Sequence, residues 1–300
     1  MTTLTMAARA GEHIVKLFDP SHNNEAVTVL SGQNLAAGAV LGRITKAQAA
    51  APIPAIVGTG TGLMSALTFG PFVQTGSYVI TLTATSSTAA FTVTAPDGTS
   101  LPTGNVGTAY VSDHLSFSIA NGGTMTTGDT YTVVVTAGGT PVLVGTGTGV
   151  VSAFSLGPDA QLGTYRVQLL ATSSTAEFEV IAPDGSKLKR GQVATAYVST
   201  HVNFTLSNAG TMTSGDYFNI IVAKGSRKVV ALTPGTYDGR HEPAGVLHTA
   251  VDATSADAVG AATVRGPAIL RSTDLGWGTL TTAQKASALT KLAAAGIVVL

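Results

Sequence analysis

Cysteine is absent from this sequence of 300 residues, which excludes a disulfide framework, a thiolate metal site and a cysteine nucleophile. Charge is also scarce, because Asp, Glu, Lys and Arg make up only 11% of the residues, against about 25% in an ordinary globular domain. The 16 basic and 16 acidic residues give a net charge of zero, and no Lys or Arg occurs between Lys46 and Arg166. Because contacts to phosphates need such residues, we expect no binding of nucleic acid.

Long apolar runs are missing as well. No stretch reaches the about 18 apolar residues of a membrane-spanning helix, and Arg9 and Glu12 fall where a signal peptide would need its apolar segment. Hydrophobic residues nevertheless make up 44% of the chain, and the mean hydropathy is +0.34, which is enough apolar surface to build a core. We therefore expect a folded, soluble protein that is made in the cytoplasm and has no membrane contact.

A sequence repeat organises the middle of the chain. The segment VGTGTG at residues 57–62 returns at residues 144–149, 87 residues later, and the same offset relates two copies each of ATSSTA, APDG, TAYVS and GTMT. Across the two aligned copies, 44 of 79 positions are identical. The repeat predicts two copies of one small domain, at residues 57–137 and 144–224.

Within each copy the apolar residues alternate with polar ones, which is typical of half-buried strands. In the first copy, Tyr78, Ile80 and Leu82 alternate with Val79 and Thr81. Further strands are predicted at residues 63–69, 114–119 and 130–135, with turns between them. Five or six short strands in each copy predict a small β-sandwich of immunoglobulin-like architecture.

The second copy carries charges that the first copy lacks. Arg166, Glu177 and Glu179 stand where the first copy has Val79, Ala90 and Thr92. These positions alternate with apolar ones, so we expect them on the solvent face of the sheet. Because the first copy has no carboxylates there, acid–base catalysis by this pair is not expected.

The two flanking pieces, residues 1–56 and 225–300, are predicted to be halves of one domain that the repeats interrupt. Residues 40–45 and 227–232 read as strands, and an antiparallel pairing would put the repeats at an exposed hairpin position, projecting outward. Near the end of the chain, Thr281 and Gln284 fit a capping box that begins a helix. Its apolar stripe is predicted at Ala286, Leu289 and Leu292 or Ala293, before a stop at Gly296 and a strand over residues 297–300.

No constellation of residues predicts chemistry. Six histidines, at positions 13, 22, 114, 201, 241 and 248, lack the spacing of metal ligands, and His114 and His201 occupy one position of the repeat, which favours a structural role. The GTGTG segments lack the Lys and the following helix of a phosphate loop. Trp277 is expected to pack and not to bind a ligand. We therefore predict no catalytic residue, no cofactor and no metal.

Short motifs of the flanking pieces occur in the order found in one protein family. They are SGQN (31–34), GAVLGRI (38–44), YDG (237–239), PAGVL (243–247), VRG (264–266) and DLGW (274–277). With these motifs the chain resembles the head decoration proteins of tailed phages, the family of the phage lambda head-stabilising protein. The inserted copies resemble repeats that some of these proteins carry.

The resemblance implies a mainly β fold, in which a split α+β, β-rich decoration domain is interrupted by two tandem β-sandwich repeats. It further implies a structural protein and not an enzyme: a homotrimer on the outer surface of the expanded capsid of the virion, where it binds the major capsid protein and clamps neighbouring capsomers. An N-terminal arm of about residues 1–12 is implied to touch the capsid. Because the arm begins with β-prone, uncharged residues, the predicted capsid-binding residues are Thr2, Thr3, Leu4, Thr5 and Met6.

An alternative function is adhesion, in which the tandem repeats bind a glycan or protein of the host surface. Such a role would need exposed aromatic side chains, and the sequence offers Phe72, Tyr110, Tyr197 and Tyr217. Four aromatic residues are few for a sugar-stacking platform, so capsid decoration is the favoured hypothesis and adhesion is the alternative.

Overall fold

The computed structural model describes residues 9–51, 53–120, 123–138, 140–207 and 211–300. It is mainly β, as predicted, and its contacts divide it into two compact units. The split unit comprises the chain up to Thr45 together with Ser226–Leu300, and the repeat unit comprises Lys46–Gly225. The N-terminal boundary thus lies before residue 57, where the repeat begins, because residues 46–50 form a strand within the sheet of the repeats.

The elements follow one another in three stretches of chain. The split unit begins with β1 (Ile14–Leu17), α1 (Pro20–Asn23), β2 (Asn24–Val29), β3 (Gln33–Leu35) and β4 (Val40–Arg43). The repeat unit contains β5 (Lys46–Ala50), β6 (Ile56–Val57), β7 (Met64–Phe69), β8 (Gly76–Leu82), β9 (Ala90–Thr94), β10 (Ser100–Asn105), β11 (Tyr110–Val111), β12 (Leu115–Ile119), β13 (Thr130–Ala137), β14 (Val142–Val144), β15 (Val150–Leu156), β16 (Gly163–Leu169), β17 (Glu177–Ile181), β18 (Gly191–Gln192), β19 (Ala196–Tyr197), β20 (Val202–Ser207) and β21 (Tyr217–Lys224). The split unit resumes with β22 (Val229–Ala231), β23 (Pro243–Leu247), β24 (Val251–Ala253), β25 (Ala258–Thr263), β26 (Ala268–Leu270), α2 (Thr282–Ala294) and β27 (Ile297–Val299).

A closed barrel in the order β2, β22, β4, β23 and β25 forms the centre of the split unit. Its strands β4 and β22 are antiparallel, with Arg43 opposite Val229 and Leu41 opposite Ala231, which is the pairing that the sequence predicts. Leu41, Val229 and Leu247 fill the barrel and are almost fully buried. The chain therefore leaves and re-enters the split unit at neighbouring ends of one antiparallel pair.

Helix α2 packs beside the barrel and begins with the predicted capping box. Thr281 Oγ1 accepts a hydrogen bond from Gln284 N, and Gln284 Oε1 accepts one from Thr281 N. The predicted apolar stripe is partly wrong, because Ala286 and Ala293 are exposed and the helix buries Ala288 and Leu292. A row of alanines carries little information on which face is buried, since each side chain offers only one methyl group.

The two copies of the repeat share one large sheet. Its order is β10, β9, β8, β13, β5, β21, β16, β17 and β18, so β5 joins the last strand of the first copy to the last strand of the second. Each copy adds a three-stranded sheet, made of β7, β12 and β11 in the first copy and β15, β20 and β19 in the second. The immunoglobulin-like topology stays a prediction.

An aromatic trio lies at the centre of each copy. Phe91, Tyr110 and Phe117 have ring centroids 4.8–5.7 Å apart, and Phe178, Tyr197 and Phe204 repeat this arrangement at 4.9–5.7 Å. Tyr110 and Tyr197 are 4% and 3% exposed. The adhesion hypothesis needs four aromatic side chains at the surface. Two of them are core residues, because they point inward from their short edge strands.

The GTGTG segment of each copy wraps around a buried aspartate. Asp129 accepts hydrogen bonds from Thr59 N at 3.1 Å and Gly60 N at 2.6 Å, and Asp216 accepts the corresponding bonds from Thr146 N and Gly147 N. Gly58 has φ +142°, and a Cβ there would overlap the Asp129 carboxylate. The first two glycines of each segment are thus explained by close approach to a carboxylate of the same copy and not by a phosphate ligand.

Other sequence features also have structural partners. His114 and His201 lie 3.2 Å, through Nδ1, from the hydroxyls of Tyr78 and Tyr165. The two glutamates of the second copy form ion pairs on its exposed face, Glu179 with Lys187 at 3.0 Å and Glu177 with Arg190 at 3.3 Å. These contacts agree with structural histidines and with a solvated, charged face.

Candidate functional site

The predicted capsid-binding residues Thr2, Thr3, Leu4, Thr5 and Met6 lie outside the described residues. What the structure describes is the root of the arm, from Arg9 onward. Gly11 N donates to His248 O at 2.8 Å, and Arg271 N donates to His13 O at 2.8 Å. Hydrogen bonds to His248 and to Arg271 therefore fix the segment from which the arm leaves the split unit.

Both ends of the chain meet in one three-stranded sheet, which we call the terminal sheet. It consists of β1, β26 and β27, with β1 antiparallel and β27 parallel to the central β26. One face packs against the core through Ala268, Leu270 and Ile297, which are at most 1% exposed. Beyond β27, Leu300 O accepts a hydrogen bond from Ser272 N at 2.6 Å, so the C-terminal residue is also part of this structure.

The other face of the terminal sheet is exposed and largely apolar. Lys16, Ile269 and Val298 form a row across it, since Lys16 is opposite Ile269 and Ile269 is opposite Val298. The exposed apolar side chains of these strands and the residues next to them are Val15 (50%), Phe18 (54%), Val298 (46%) and Leu300 (66%). Exposed apolar side chains gathered on one small sheet are typical of an interaction surface.

The sequence analysis missed this face, although a signal for it exists. Residues 297–300 read IVVL, and residues 14–15 read IV, so apolar residues occupy consecutive positions. Because successive side chains of a strand point to opposite faces, such runs make both faces apolar. In a three-stranded sheet with one packed face, the other face is left to solvent or to a partner.

The buried His13 and the half-buried His248 lie together at the root of the arm. The rings of His13 and His248 are 6.1 Å apart, and His13 is 1% exposed, with no hydrogen-bond partner for its Nε2. His248 Nε2 lies 2.7 Å from Thr263 Oγ1. Burial lowers the pKa of both imidazoles, and the charge of His248 lowers the pKa of His13 further, against a raising effect of Asp274. The neutral forms are therefore favoured in the folded state.

A groove of about 550 Å³ lies on the split unit beside Trp277, whose half-buried ring packs against the core. Both apolar and polar residues line it, among them Leu232, Thr233 and Gln284. Within the described residues, no three His, Asp or Glu side chains come together as they would around a metal ion. No helix in the same part of the chain is long and apolar enough to span a membrane.

Comparison with protein families decides the identity. The family model of bacteriophage lambda head decoration protein D matches residues 123–297, which is more than half of the chain. The chain belongs to the head decoration protein family. The match runs from the last strand of the first repeat, through the second repeat, to the C-terminal part of the split unit, and it ends within β27.

No curated protein and no solved structure matches this decoration protein. Membership of the family is enough to associate the chain with the phage capsid and to locate it on the virion. The head decoration family is a structural, non-enzymatic one.

Proposed function

We propose that this decoration protein binds as a homotrimer to the outer surface of the expanded capsid and clamps neighbouring subunits of the major capsid protein. The N-terminal arm, with Thr2 to Met6, and the exposed face of the terminal sheet form the attachment surface. The observation that carries this proposal is that the root of the arm and the apolar face belong to the same small sheet. One binding event can then bury both.

A trimer makes this mode of attachment effective. Ordering a flexible arm costs about 1–2 kcal/mol per residue, so a single short arm that adds a strand to a capsid subunit binds weakly. Three linked arms bind at high effective concentration, because the second and third arms are already held near their sites. Burial of Val15, Phe18, Val298 and Leu300 adds apolar contact that does not require this ordering.

The repeats are proposed to extend away from the capsid as an accessory. They leave the split unit beside Ile44, whose amide donates to Lys228 O at 3.0 Å and whose carbonyl accepts from Arg227 N at 2.9 Å. This hairpin position belongs to the barrel and not to the terminal sheet. Insertion there interrupts no strand of the terminal sheet.

Co-sedimentation with expanded heads that lack decoration protein tests the proposal on the full chain. We expect Val298→Glu and a deletion of residues 2–8 each to weaken saturable binding strongly, because the first places a charge in an apolar contact and the second removes the arm. Val259→Glu is the matched control, since Val259 is 74% exposed on β25 of the barrel, outside the terminal sheet. Light scattering of the free protein should give the mass of a trimer.

Normal binding by both Val298→Glu and the arm deletion would refute this attachment surface, and a monomeric mass would refute the trimer. Adhesion to a host glycan or protein through the repeats is the second candidate. Its aromatic platform is reduced to Phe72, which is 46% exposed, and the half-buried Tyr217. Absence of capsid binding by the wild-type chain would favour this alternative.

A further inference from the structure

The two copies of the repeat are joined by an edge strand of one copy and a sheet face of the other. Strand β7 is the edge of its three-stranded sheet, and side chains of the second copy cover that edge. Thr164 Oγ1 accepts a hydrogen bond from Phe69 N at 2.9 Å and donates one to Phe69 O at 3.0 Å. Asn219 Nδ2 donates to Leu67 O at 3.4 Å. Three backbone groups of β7 thus have hydrogen-bond partners on the outer face of β16 and β21.

Apolar packing accompanies these hydrogen bonds. Leu67 is 6% exposed and Ile221 is 2% exposed, and Ile221 belongs to the core cluster of the first copy although it lies in the second. The space left between Leu67, Phe69, Tyr217 and Ile221 is only about 30 Å³, close to the size of one water molecule. The join is therefore a packed interface and not a loose contact.

The same edge is present a second time and is uncovered. Strand β15 of the second copy corresponds to β7 through the 87-residue offset, and in the described part of the chain it pairs only with β20. Leu156 takes the position of Phe69, and Phe154 takes that of Leu67. Phe154 is only half-buried, whereas Leu67 is covered by the neighbouring copy.

The complementary face is also present a second time. In the first copy, Ser77, Thr132 and Val134 take the positions of Thr164, Asn219 and Ile221. Ser77 retains the hydroxyl that can bond both backbone groups of an edge strand, and Thr132 retains a hydrogen-bond donor. Val134 retains an apolar β-branched side chain and is 44% exposed. The strands that form this face, β8, β9 and β13, contain no charged residue.

We propose that β15 of one chain docks on the face formed by Ser77, Thr132 and Val134 of a second copy of the chain. The contact repeats between chains the interface that joins the two copies within a chain. It is a head-to-tail contact, since the two partners contribute different surfaces, and such contacts generate rings when the rotation closes. In a trimer, three such contacts give a ring of six repeats.

The contact between chains is weaker than its template. Within a chain, β5 adds hydrogen bonds to both copies, with Ala50 opposite Thr136 and Ala49 opposite Ile221. A second chain has no equivalent strand to contribute. The docking therefore relies on chains that are already held together, where the effective concentration is high.

Disulfide trapping tests the proposal, because the chain has no cysteine of its own. Val134→Cys and Phe154→Cys are placed on two differently tagged full-length chains, which are co-expressed and then oxidised. Cysteines on separate chains can only form a disulfide between chains. The double variant Leu67→Cys/Ile221→Cys is the positive control, since these residues form the same contact within one chain. Val134→Cys with Val198→Cys is the negative control, since Val198 is 60% exposed in the second copy but lies outside β15.

We expect a covalent dimer of the Val134→Cys and Phe154→Cys chains, with a 134–154 disulfide peptide in mass spectrometry, and no such product above background with Val198→Cys. A second measurement needs no cysteine. Val134→Arg should accelerate hydrogen exchange in residues 150–156, although it lies in the other copy, and leave residues 64–69 unchanged because their cover comes from the same chain. Equal cross-linking with the control, or unchanged exchange in residues 150–156, would overturn the proposal. Neither readout involves capsids, so failure here leaves the attachment surface untouched.

Discussion

Removal of the buried aspartate from one copy of the repeat is expected to open that copy and leave the other closed. Asp129 is 5% exposed, and its two carboxylate oxygens accept from Thr59 N and Gly60 N. The variant Asp129→Ala leaves both amides without a partner. Because the GTGTG segment is held to strand β13 by these bonds, the expected damage is local.

The size of the effect follows from the two hydrogen bonds. A bond to a charged acceptor contributes about 1.5–3 kcal/mol, and the Gly60 amide is buried while the Thr59 amide is part-buried. Water can therefore replace part of the second bond, and we expect a loss of about 3 kcal/mol in the free energy of opening of the first copy. At about 1.4 kcal/mol for each factor of ten, this corresponds to roughly a hundredfold faster hydrogen exchange in its core strands.

The repeat provides its own control for this experiment. Hydrogen exchange followed by mass spectrometry should accelerate in residues 130–137 of Asp129→Ala and remain unchanged in residues 217–224. Asp216→Ala, in which Thr146 N and Gly147 N lose the same acceptor, should give the reverse pattern. Equal acceleration in both copies, or none in either, would refute the assignment of the motif to a local carboxylate clamp.

Two further predictions concern the split unit, for which Trp277 is a natural fluorescence probe because it is the only tryptophan. Thr281→Ala removes the hydrogen bond from Gln284 N to the Thr281 side chain, and it should lower the free energy of unfolding by about 1 kcal/mol in urea titrations. An unchanged midpoint would contradict the role of the cap. The pKa values of His13 and His248 are below the ordinary 6.5 in the folded state, so the unfolded state binds more protons in acid. The free energy of unfolding should therefore be at its full value above pH 6.5 and fall as the pH drops below it. In His248→Gln this fall should be smaller. The same dependence on pH in both proteins would exclude this histidine as the cause.

Local patterns in the sequence were sufficient for the individual elements. Alternation predicts strands at 63–69, 114–119 and 130–135, and the structure has β7, β12 and β13 at Met64–Phe69, Leu115–Ile119 and Thr130–Ala137. The capping box likewise depends on two residues three positions apart. Such features are encoded within a few neighbouring residues, so one sequence is enough to find them.

Features that depend on distant pairing could not be predicted. The barrel closes because β2 pairs with β25, more than 200 residues away, and nothing in either strand specifies the other. Strand β5 reads KAQAA, with alanine as its only apolar residue type, and its place between the copies depends on two other strands. The terminal sheet joins residues from both ends of the chain in the same way. The apolar runs indicate strands with two apolar faces, but only the pairing of the strands shows that these runs lie together in one candidate attachment surface.

The two copies of the repeat differ in the charge of their outer faces, and this difference bears on the proposed contact between chains. If both outer faces only met solvent, charges would be expected on the face of the first copy as well, since charged side chains keep an exposed surface from associating. The opposite is found. Arg166, Glu177 and Glu179 lie in the second copy, on the exposed part of a face that is already covered around Thr164 and Ile221, while the face of the first copy is neutral and exposes Val134.

The edge strands support the same reasoning. Both β7 and β15 contain an irregularity in their pairing, and Ala66 and Ala153 have positive φ values of 56° and 52° at that point. Such a bulge often protects an edge strand from pairing. In β7, however, the bulged edge is the one that contacts the second copy, through Leu67 and Phe69. The bulge of β15 therefore has the shape of a docking edge, and an uncharged edge beside an uncharged face is the arrangement expected if the two meet between chains.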